Sequence, residues 1–126
     1  MDESSKLVDC KDISFTLPWP PSVNHYWRRC GNRYFVSQEG KNYREIVIIK
    51  CNDSKGFFKN KEKLSVSILA YPPDKRRRDL DNVLKSLLDS LQHAGVYEDD
   101  YQIDCITIER LPYQEGKVII SIKEIP

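Results

Sequence analysis

The feature that most constrains the fold is an apolar stripe along one amphipathic helix. Its members recur at i, i+3, i+4, i+7, i+8 and i+11, and they are Leu80, Val83, Leu84, Leu87, Leu88 and Leu91. This spacing places them on one side of an α-helix, so that side must be buried against other elements. Gly95 follows the stripe, and glycine tolerates the left-handed conformation in which many helices end. The sequence therefore predicts a helix that begins near Leu80 and ends before Gly95.

The segments on either side of this helix alternate polar and apolar residues, as half-buried strands do. The segments with this pattern are residues 12–17, 63–71, 103–111 and 117–124, and residues 34–36 are a candidate short strand. Gly116 separates the last two segments, which predicts that they form an antiparallel hairpin.

A second helix is predicted to start at Ser37, with Tyr43, Ile46 and Val47 at helical spacing, and to end near residues 54–56. Residues 22–33 are interpreted as a loop. The order of elements predicts an α+β fold, with a mixed or antiparallel sheet of about four strands and two helices packed on one face.

A chain of 126 residues is long enough for one domain, which we expect to span residues 13–126. Residues 1–12 include four acidic residues and few apolar ones, so they are expected to form a loose tail. No apolar run approaches the roughly 20 residues that cross a bilayer, and the N-terminus lacks the layout of a signal peptide. These features predict a cytoplasmic protein that does not contact a membrane.

The cysteine residues are too irregularly spaced for a metal or redox motif. The four are Cys10, Cys30, Cys51 and Cys105, and no pair has the spacing Cys-x-x-Cys. They are expected to be free thiols in a cytoplasmic chain. Cys51 and Cys105 stand in apolar patterns, which predicts that both are buried.

The formal net charge of +1 hides two basic groups. Lys75, Arg76, Arg77 and Arg78 are consecutive, and the predicted loop carries a second group of Arg28, Arg29 and Arg33. Clustered positive charge raises the local affinity for phosphate, whatever the total charge. The same loop contains Asn24, Tyr26 and Trp27, whose aromatic rings either stack on exposed bases or pack the loop onto the sheet.

Carboxylates surround the predicted helix. Asp79 and Asp81 stand at its start, directly after the basic run, and residues 98–100 are a further acidic group just past its end. Asp81 and Lys85 are four residues apart, so they share one helix face beside the apolar stripe. The loop after the helix must turn back to the sheet, which could bring one of the three carboxylates of residues 98–100 towards the first pair.

Three carboxylates gathered in one place suit a Mg²⁺ ion, which prefers oxygen ligands and often binds phosphate as well. Such an ion activates water and neutralises charge on a scissile phosphate, while a lysine stabilises developing negative charge. Each residue also has a plainer interpretation. Asp79 is placed to cap the helix, Asp81 and Lys85 form an ordinary i,i+4 pair, and residues 98–100 suit a solvated turn.

Several stretches together resemble one family of nucleases. The chain is similar to the RusA family of Holliday junction resolvases over about residues 13–124. The resemblance is strongest at Arg76-Arg-Arg-Asp-Leu-Asp-Asn-Val-Leu-Lys85. It also includes residues 15–24, Tyr26, residues 36–44, Leu91, residues 94–96, Asp99, Asp100 and Gln102.

The resemblance implies a homodimeric endonuclease that cuts four-way junction DNA with Mg²⁺, or with Mn²⁺ in its place, and without a nucleotide cofactor. It assigns the metal ligands to Asp79, Asp81 and Asp100, rather than Asp99, and the essential lysine to Lys85. A two-fold dimer suits a substrate that needs two symmetric nicks. The residues expected to contact DNA are Lys75, Arg76, Arg77, Arg78, Asn24, Tyr26, Arg28 and Arg29.

Three other functions share parts of this pattern. A non-catalytic module that reads branched DNA by shape needs the basic residues but not the aspartates, because carboxylates near phosphate weaken binding unless a metal intervenes. A structural protein would use the charged segments for dimer contacts alone. A nuclease that acts on flaps or replication forks would use all of the same chemistry.

Overall fold

The computed structural model describes residues 11–126. Their elements in chain order are β1 (Asp12–Pro18), α1 (Val23–Tyr26), β2 (Trp27–Cys30), β3 (Arg33–Val36), α2 (Gln38–Lys50), β4 (Leu64–Tyr71), α3 (Asp81–His93), β5 (Ile103–Arg110) and β6 (Lys117–Glu124). Short 3₁₀ turns occupy Asn52–Ser54 and Asp100–Gln102. The expected N-terminal tail lies almost wholly outside the described residues, and Asp12 already belongs to β1.

A four-stranded mixed sheet forms the centre of the fold, in the order β1-β6-β4-β5. β6 runs antiparallel to both of its neighbours, and β4 and β5 run parallel. Parallel neighbours need a crossover connection, and α3 supplies it between β4 and β5. The predicted α+β class with a mixed sheet of four strands is confirmed.

The core lies between one face of this sheet and the two long helices. Alternate residues of β4 and β6, such as Val66, Ile68 and Ile120, are buried together with Val47 of α2 and Leu87 of α3. The strand period of two and the helix period of 3.6 thus converge on one apolar layer. The predicted stripe of α3 is confirmed as its buried side, with Leu80 and Leu84 partly exposed at the margin.

Both helices begin close to their expected positions, and α3 also ends there, whereas α2 ends at Lys50, before the expected residues 54–56. Ser37 caps α2, since its Oγ accepts a hydrogen bond from the backbone N–H of Gly40 at 2.9 Å. Gly95 follows α3 with a φ of 84°, the left-handed conformation expected of it. Within residues 11–126, no helix is both long enough and apolar enough to cross a membrane.

The predicted hairpin between the last two strands is wrong. Among residues 11–126, β5 pairs with β4 alone, and β6 inserts between β1 and β4. Composition explains the exchange, because β6 carries isoleucines on both faces and suits a central position, whereas β5 alternates with charged and polar residues that tolerate an edge. The connection from β5 to β6 therefore crosses the end of β4, and the glycine turn at residue 116 completes it.

The predicted burial of Cys105 is wrong for the same reason. Cys105 pairs with Ser65 of β4, so it lies on the sheet face opposite the helices and is exposed. Cys51 follows α2 and is buried as expected.

The interpretation of residues 22–33 as a loop is also wrong. They form α1, β2 and the start of β3, and β2 pairs with β3 as an antiparallel hairpin. Its two-residue turn is Gly31-Asn32, with a φ of 63° at Gly31. Glycine at the first central position is the requirement of a type II′ turn, so this dipeptide was a readable hairpin signal.

Candidate active site

The side chains of the two aspartates at the start of α3 form no ion pair with any of the described residues. Asp79 and Asp81 are exposed and flank Leu80, the residue that precedes the helix. Leu80 already has helical backbone angles, and no side chain caps this end of the helix. The capping role considered for Asp79 is therefore absent: only its backbone oxygen is used, by the N–H of Asn82 at 3.2 Å. Neither carboxylate therefore stabilises the fold through a partner among the described residues, and both are available to bind a ligand.

In the acidic turn after α3, the Asp99 side chain has a structural role, whereas the Asp100 side chain is a candidate site residue. The Asp99 side chain accepts a hydrogen bond from the N–H of Tyr101 at 3.0 Å and caps the 3₁₀ turn. Gln102 completes the cap from the buried side and donates to the backbone oxygens of Lys59 and Glu62 at 2.7 and 2.8 Å. The backbone N–H of Asp100 donates to the Gln92 side chain at 3.0 Å, and its backbone oxygen accepts from the N–H of Ile103.

The structure brings Asp100 to the side of α3 that carries Lys85. Loss of solvent around the carboxylate raises the pKa of Asp100, and the negative charges of Asp89 and Asp99 act in the same direction. Tyr97 and Lys85 act against them. The expected approach of the third carboxylate is thus towards Lys85, and not into a compact group with Asp79 and Asp81.

Lys85 is exposed on the same helix side as Asp81, one turn further along. None of the ion pairs among residues 11–126 involves Lys85 or Asp81, so the i,i+4 pair considered from spacing is not formed. The ammonium group is therefore available to an anion that binds beside Asp100.

A further acidic residue of this side, Asp89, was not singled out from the sequence. It continues the i,i+4 series of Asp81 and Lys85, which was the available signal. Its half-buried carboxylate accepts a hydrogen bond from Arg44 of α2 at 2.6 Å and another from the Tyr26 hydroxyl. Asp89 therefore joins two helices, and its charge is paired with that of Arg44.

The carboxylate oxygens of Asp79, Asp81 and Asp100 are the ligand type that Mg²⁺ prefers. Within residues 11–126, however, no three acidic, histidine or cysteine side chains lie close enough together to hold a metal ion. Asp79 lies on the cleft side of the helix start, whereas Asp100 lies past the end of the helix, where its N–H donates to the Gln92 side chain. The three carboxylates are chemically suited to a hard divalent ion. In a single chain, however, they lie too far apart to bind the same ion.

An open cleft of about 970 Å³ borders this site. One wall is the proline-rich segment after β1, a second is α2, and the third is the segment that leads into α3. Trp19, His25, Arg77 and Asp79 are among its lining residues. Basic side chains and a candidate catalytic carboxylate thus face one space, and His25, which the sequence analysis did not select, lies beside them.

The basic segment, residues 75–78, is held in place by its neighbours. The Asp74 carboxylate binds Arg78 at 2.7 Å and Arg76 at 3.2 Å, and these hydrogen bonds keep the pKa of Asp74 well below its usual value. Arg78 also lies over the Trp19 ring, and Lys75 lies 5.5 Å from the centre of the Tyr113 ring. Arg77 has no ion pair among the described residues and is exposed. Its charge is the freest of the four.

The other expected DNA contacts divide into exposed and buried residues. Asn24, Arg28 and Arg29 are exposed, the two arginines on β2. Tyr26 is fully buried, and its hydroxyl contacts Asp89 and Arg44. The prediction that Tyr26 contacts DNA is wrong, because its ring completes the packing between α1 and the long helices.

Comparison with known proteins gives one consistent family. The sequence profile described as Endodeoxyribonuclease RusA matches residues 18–123. A crossover junction endodeoxyribonuclease rusA from Enterobacteria phage HK97 is 45% identical over 115 residues, which cover 90% of this chain and 96% of the relative. The protein named crossover junction endodeoxyribonuclease RusA from Escherichia coli K12 is 38% identical over 113 residues, 89% of this chain and 94% of the relative. The matched region includes every wall of the cleft.

Proposed function

This chain belongs to the RusA family of crossover junction endodeoxyribonucleases, and we propose that it resolves four-way DNA junctions by metal-assisted hydrolysis of two opposing strands. The observation that carries this reaction is the cleft, in which Arg76, Arg77, Arg78 and Asp79 line one surface. Basic side chains there can hold a phosphodiester backbone against a carboxylate that is not spent on folding.

Asp79, Asp81 and Asp100 are the residues proposed to hold Mg²⁺, with Mn²⁺ as the alternative ion. Bound there, the ion supplies an activated water and neutralises charge on the scissile phosphate. Carboxylates repel one another unless a cation lies between them. We therefore expect the three side chains to move together only when the ion and the DNA backbone are present.

Lys85 is proposed to stabilise the negative charge that develops on the phosphate oxygens or on the leaving oxygen. Its ammonium group is exposed, acts to lower the pKa of Asp100, and forms no ion pair among the described residues. A positioned cation that needs no rearrangement during the reaction is the arrangement that electrostatic catalysis requires.

The basic segment and the exposed arginines of β2 are proposed to bind the DNA backbone. Ion pairs with Asp74 hold Arg76 and Arg78 on the wall of the cleft, and a ring contact with Tyr113 holds Lys75 next to it, outside the cleft. Phosphate contacts of this kind orient the duplex without reading its sequence.

A homodimer is proposed as the active form. Resolution needs two symmetric nicks, and a two-fold dimer holds two sites at a fixed separation. The proposal extends to a single endonuclease domain that includes residues 13–126, and to the cytoplasm as the place where the enzyme meets its DNA.

The test uses a labelled synthetic four-way junction and a duplex of matched sequence, each incubated with Mg²⁺ or with EDTA. We expect paired, symmetric nicks in the junction alone and only with the metal. Asp81→Asn should bind the junction and reduce nicking by at least about 100-fold, since even residues behind a metal ligand cost 10- to 100-fold. Asp53→Asn, which changes an exposed carboxylate in the 3₁₀ turn after α2, is the matched control.

Three results would contradict parts of the proposed function. Nicking by Asp81→Asn at the rate of the control would remove Asp81 from the catalytic set. Junction binding without cleavage in any divalent metal would favour a module that reads shape alone. Equal cleavage of flaps and forks would assign the enzyme to branched DNA in general.

A further inference from the structure

The β2–β3 hairpin exposes aromatic side chains that the rest of the fold does not use. It forms a two-stranded sheet of its own, separate from the central sheet. Tyr34 is 67% exposed and Phe35 is 49% exposed. Isolated two-stranded hairpins are at best marginally stable in water, and exposed rings add no stability to the monomer. The exposed rings therefore suggest a binding role.

The pairing register places one exposed ring on each face of the hairpin. Arg28 is opposite Phe35, and Arg29 is opposite Tyr34. Neighbouring residues of a strand point to opposite faces, so both faces carry an aromatic ring beside a guanidinium group. The Arg29 guanidinium lies 5.7 Å from the centre of the Tyr34 ring.

The base of the hairpin is firmly attached at the edge of the cleft. The backbone N–H of Ser37 donates to the backbone oxygen of Tyr26 at 2.8 Å. A Cβ atom added at Gly40 would lie 2.6 Å from the Val36 side chain, so the end of β3 packs directly on α2. His25, two residues before β2, lines the cleft. The hairpin thus extends from one wall of the cleft.

The charge of the hairpin favours a polyanion over a protein. Residues 27–36 contain three arginines, Arg28, Arg29 and Arg33, and no acidic residue. A second copy of the hairpin would repel it. Nucleic acid supplies both phosphates for the arginines and base surfaces for the rings, and stacking on aromatic side chains needs no particular base sequence.

We infer that the β2–β3 hairpin is a wedge that enters the branch point of the junction, where Tyr34 and Phe35 stack on bases that leave their partners. The inference rests on the proposed action on four-way junctions. It concerns substrate recognition and requires nothing of the carboxylates. A duplex with continuous stacking offers no such bases, so the wedge would favour junctions over duplexes.

The test places 2-aminopurine at the branch point of a junction and measures fluorescence and affinity in EDTA, where binding occurs without cleavage. The wild-type protein should change the fluorescence on binding. Y34A/F35A should lose that change and bind the junction at least about tenfold more weakly, while its duplex affinity stays the same. Tyr34→Phe, which keeps the ring, should behave as wild type, and Ile49→Ala, which removes an exposed apolar side chain of α2, should too.

A second substrate separates the wedge from the chemistry. In Mg²⁺, Y34A/F35A should cleave a fully paired junction more slowly than wild type. In a junction with mismatched bases at the branch point the bases are already unpaired, so the variant should cleave it at close to the wild-type rate. An unchanged fluorescence response and affinity in Y34A/F35A, with normal cleavage by wild type, would overturn the wedge alone. Failure of wild type to bind or cut any junction would instead overturn the proposed function. A halved solution mass for Y34A/F35A would identify the hairpin as a contact between copies and overturn the wedge.

Discussion

The Arg44 guanidinium donates to the Asp89 carboxylate at 2.6 Å and so joins α2 to α3 beside the candidate active site. The Tyr26 hydroxyl lies between them, because it donates to Asp89 and accepts from Arg44 at 2.8 Å. Hydrogen bonding to Asp89 and Tyr26 raises the pKa of Arg44 despite its partial burial, which acts to lower it. This contact holds the helix that carries Asp81 and Lys85 against the wall of the cleft.

Asp89→Ala should lower the free energy of unfolding by about 2–3 kcal/mol, since it leaves a partly buried guanidinium and a buried hydroxyl without their shared acceptor. Glu45→Ala, an exposed neighbour of Arg44 on α2, is the control and should change it little. Urea unfolding measures both variants. Equal values for the two would mean that the contact contributes nothing to stability.

Glu62 should make stability depend on acid pH. Its carboxylate accepts from the N–H of Lys59 at 2.8 Å and from Lys11 at 3.0 Å. The hydrogen bond from Lys59 is the largest cause that lowers the pKa of Glu62 from its ordinary value of 4.5. A lowered pKa means that the stabilisation is present above pH 4.5 and is lost as pH falls through the folded-state value.

The measurement compares wild type with Glu62→Gln by urea unfolding across this range. The difference in unfolding free energy should be full at neutral pH and should shrink steadily on acidification. A difference that is independent of pH would show that the ionised form of Glu62 does not stabilise the fold.

Lys85→Met should reduce the rate of junction cleavage by about 100- to 1000-fold, as the loss of one preorganised charge-stabilising group does. Junction affinity in EDTA should stay close to wild type, because the contribution is made in the transition state. Single-turnover cleavage and gel-shift binding separate the two effects. A large loss of binding with little change in rate would make Lys85 a phosphate contact instead.

Arg77→Gln should weaken binding to duplex and junction alike and lower the slope of log affinity against log salt by about 1, because one phosphate contact is lost. Arg77 is chosen because it lines the cleft and has no ion pair among residues 11–126. Lys61→Gln, an exposed change in the segment before β4, should leave the slope unaltered. An unchanged slope for Arg77→Gln would remove that residue from the DNA surface.

Cys51 should resist alkylation in the folded protein. Burial raises its pKa to about 11, whereas Cys30 and Cys105 are exposed. Only the thiolate reacts, so iodoacetamide at neutral pH should label Cys30 and Cys105 and leave Cys51 until urea is added. Peptide mass spectrometry locates the label. Labelling of Cys51 as fast as Cys30 would show that the end of α2 opens readily.

Local patterns were sufficient for most of the elements. The stripe from Leu80 to Leu91, the Ser37 cap and the alternation in β4 follow from helix and strand periods, which depend only on nearby residues. The resemblance, strongest at residues 76–85 and extending to Asp100, identified the family and the residues that are proposed as its active site. The Gly31-Asn32 turn carried a local signal as well, although the surrounding residues were interpreted as a loop.

Tertiary structure alone decided which elements meet. Gly116 follows the connection between two strands, but whether they pair depends on which neighbour β6 finds, and that is a long-range choice between sheet positions. The same holds for aromatic rings: Tyr26 is buried and Tyr34 is exposed, although both are tyrosines in one short basic segment. The sequence by itself determined the residue types and their local periods, while burial, pairing and the approach of Asp100 to Lys85 came from contacts between residues far apart in the chain.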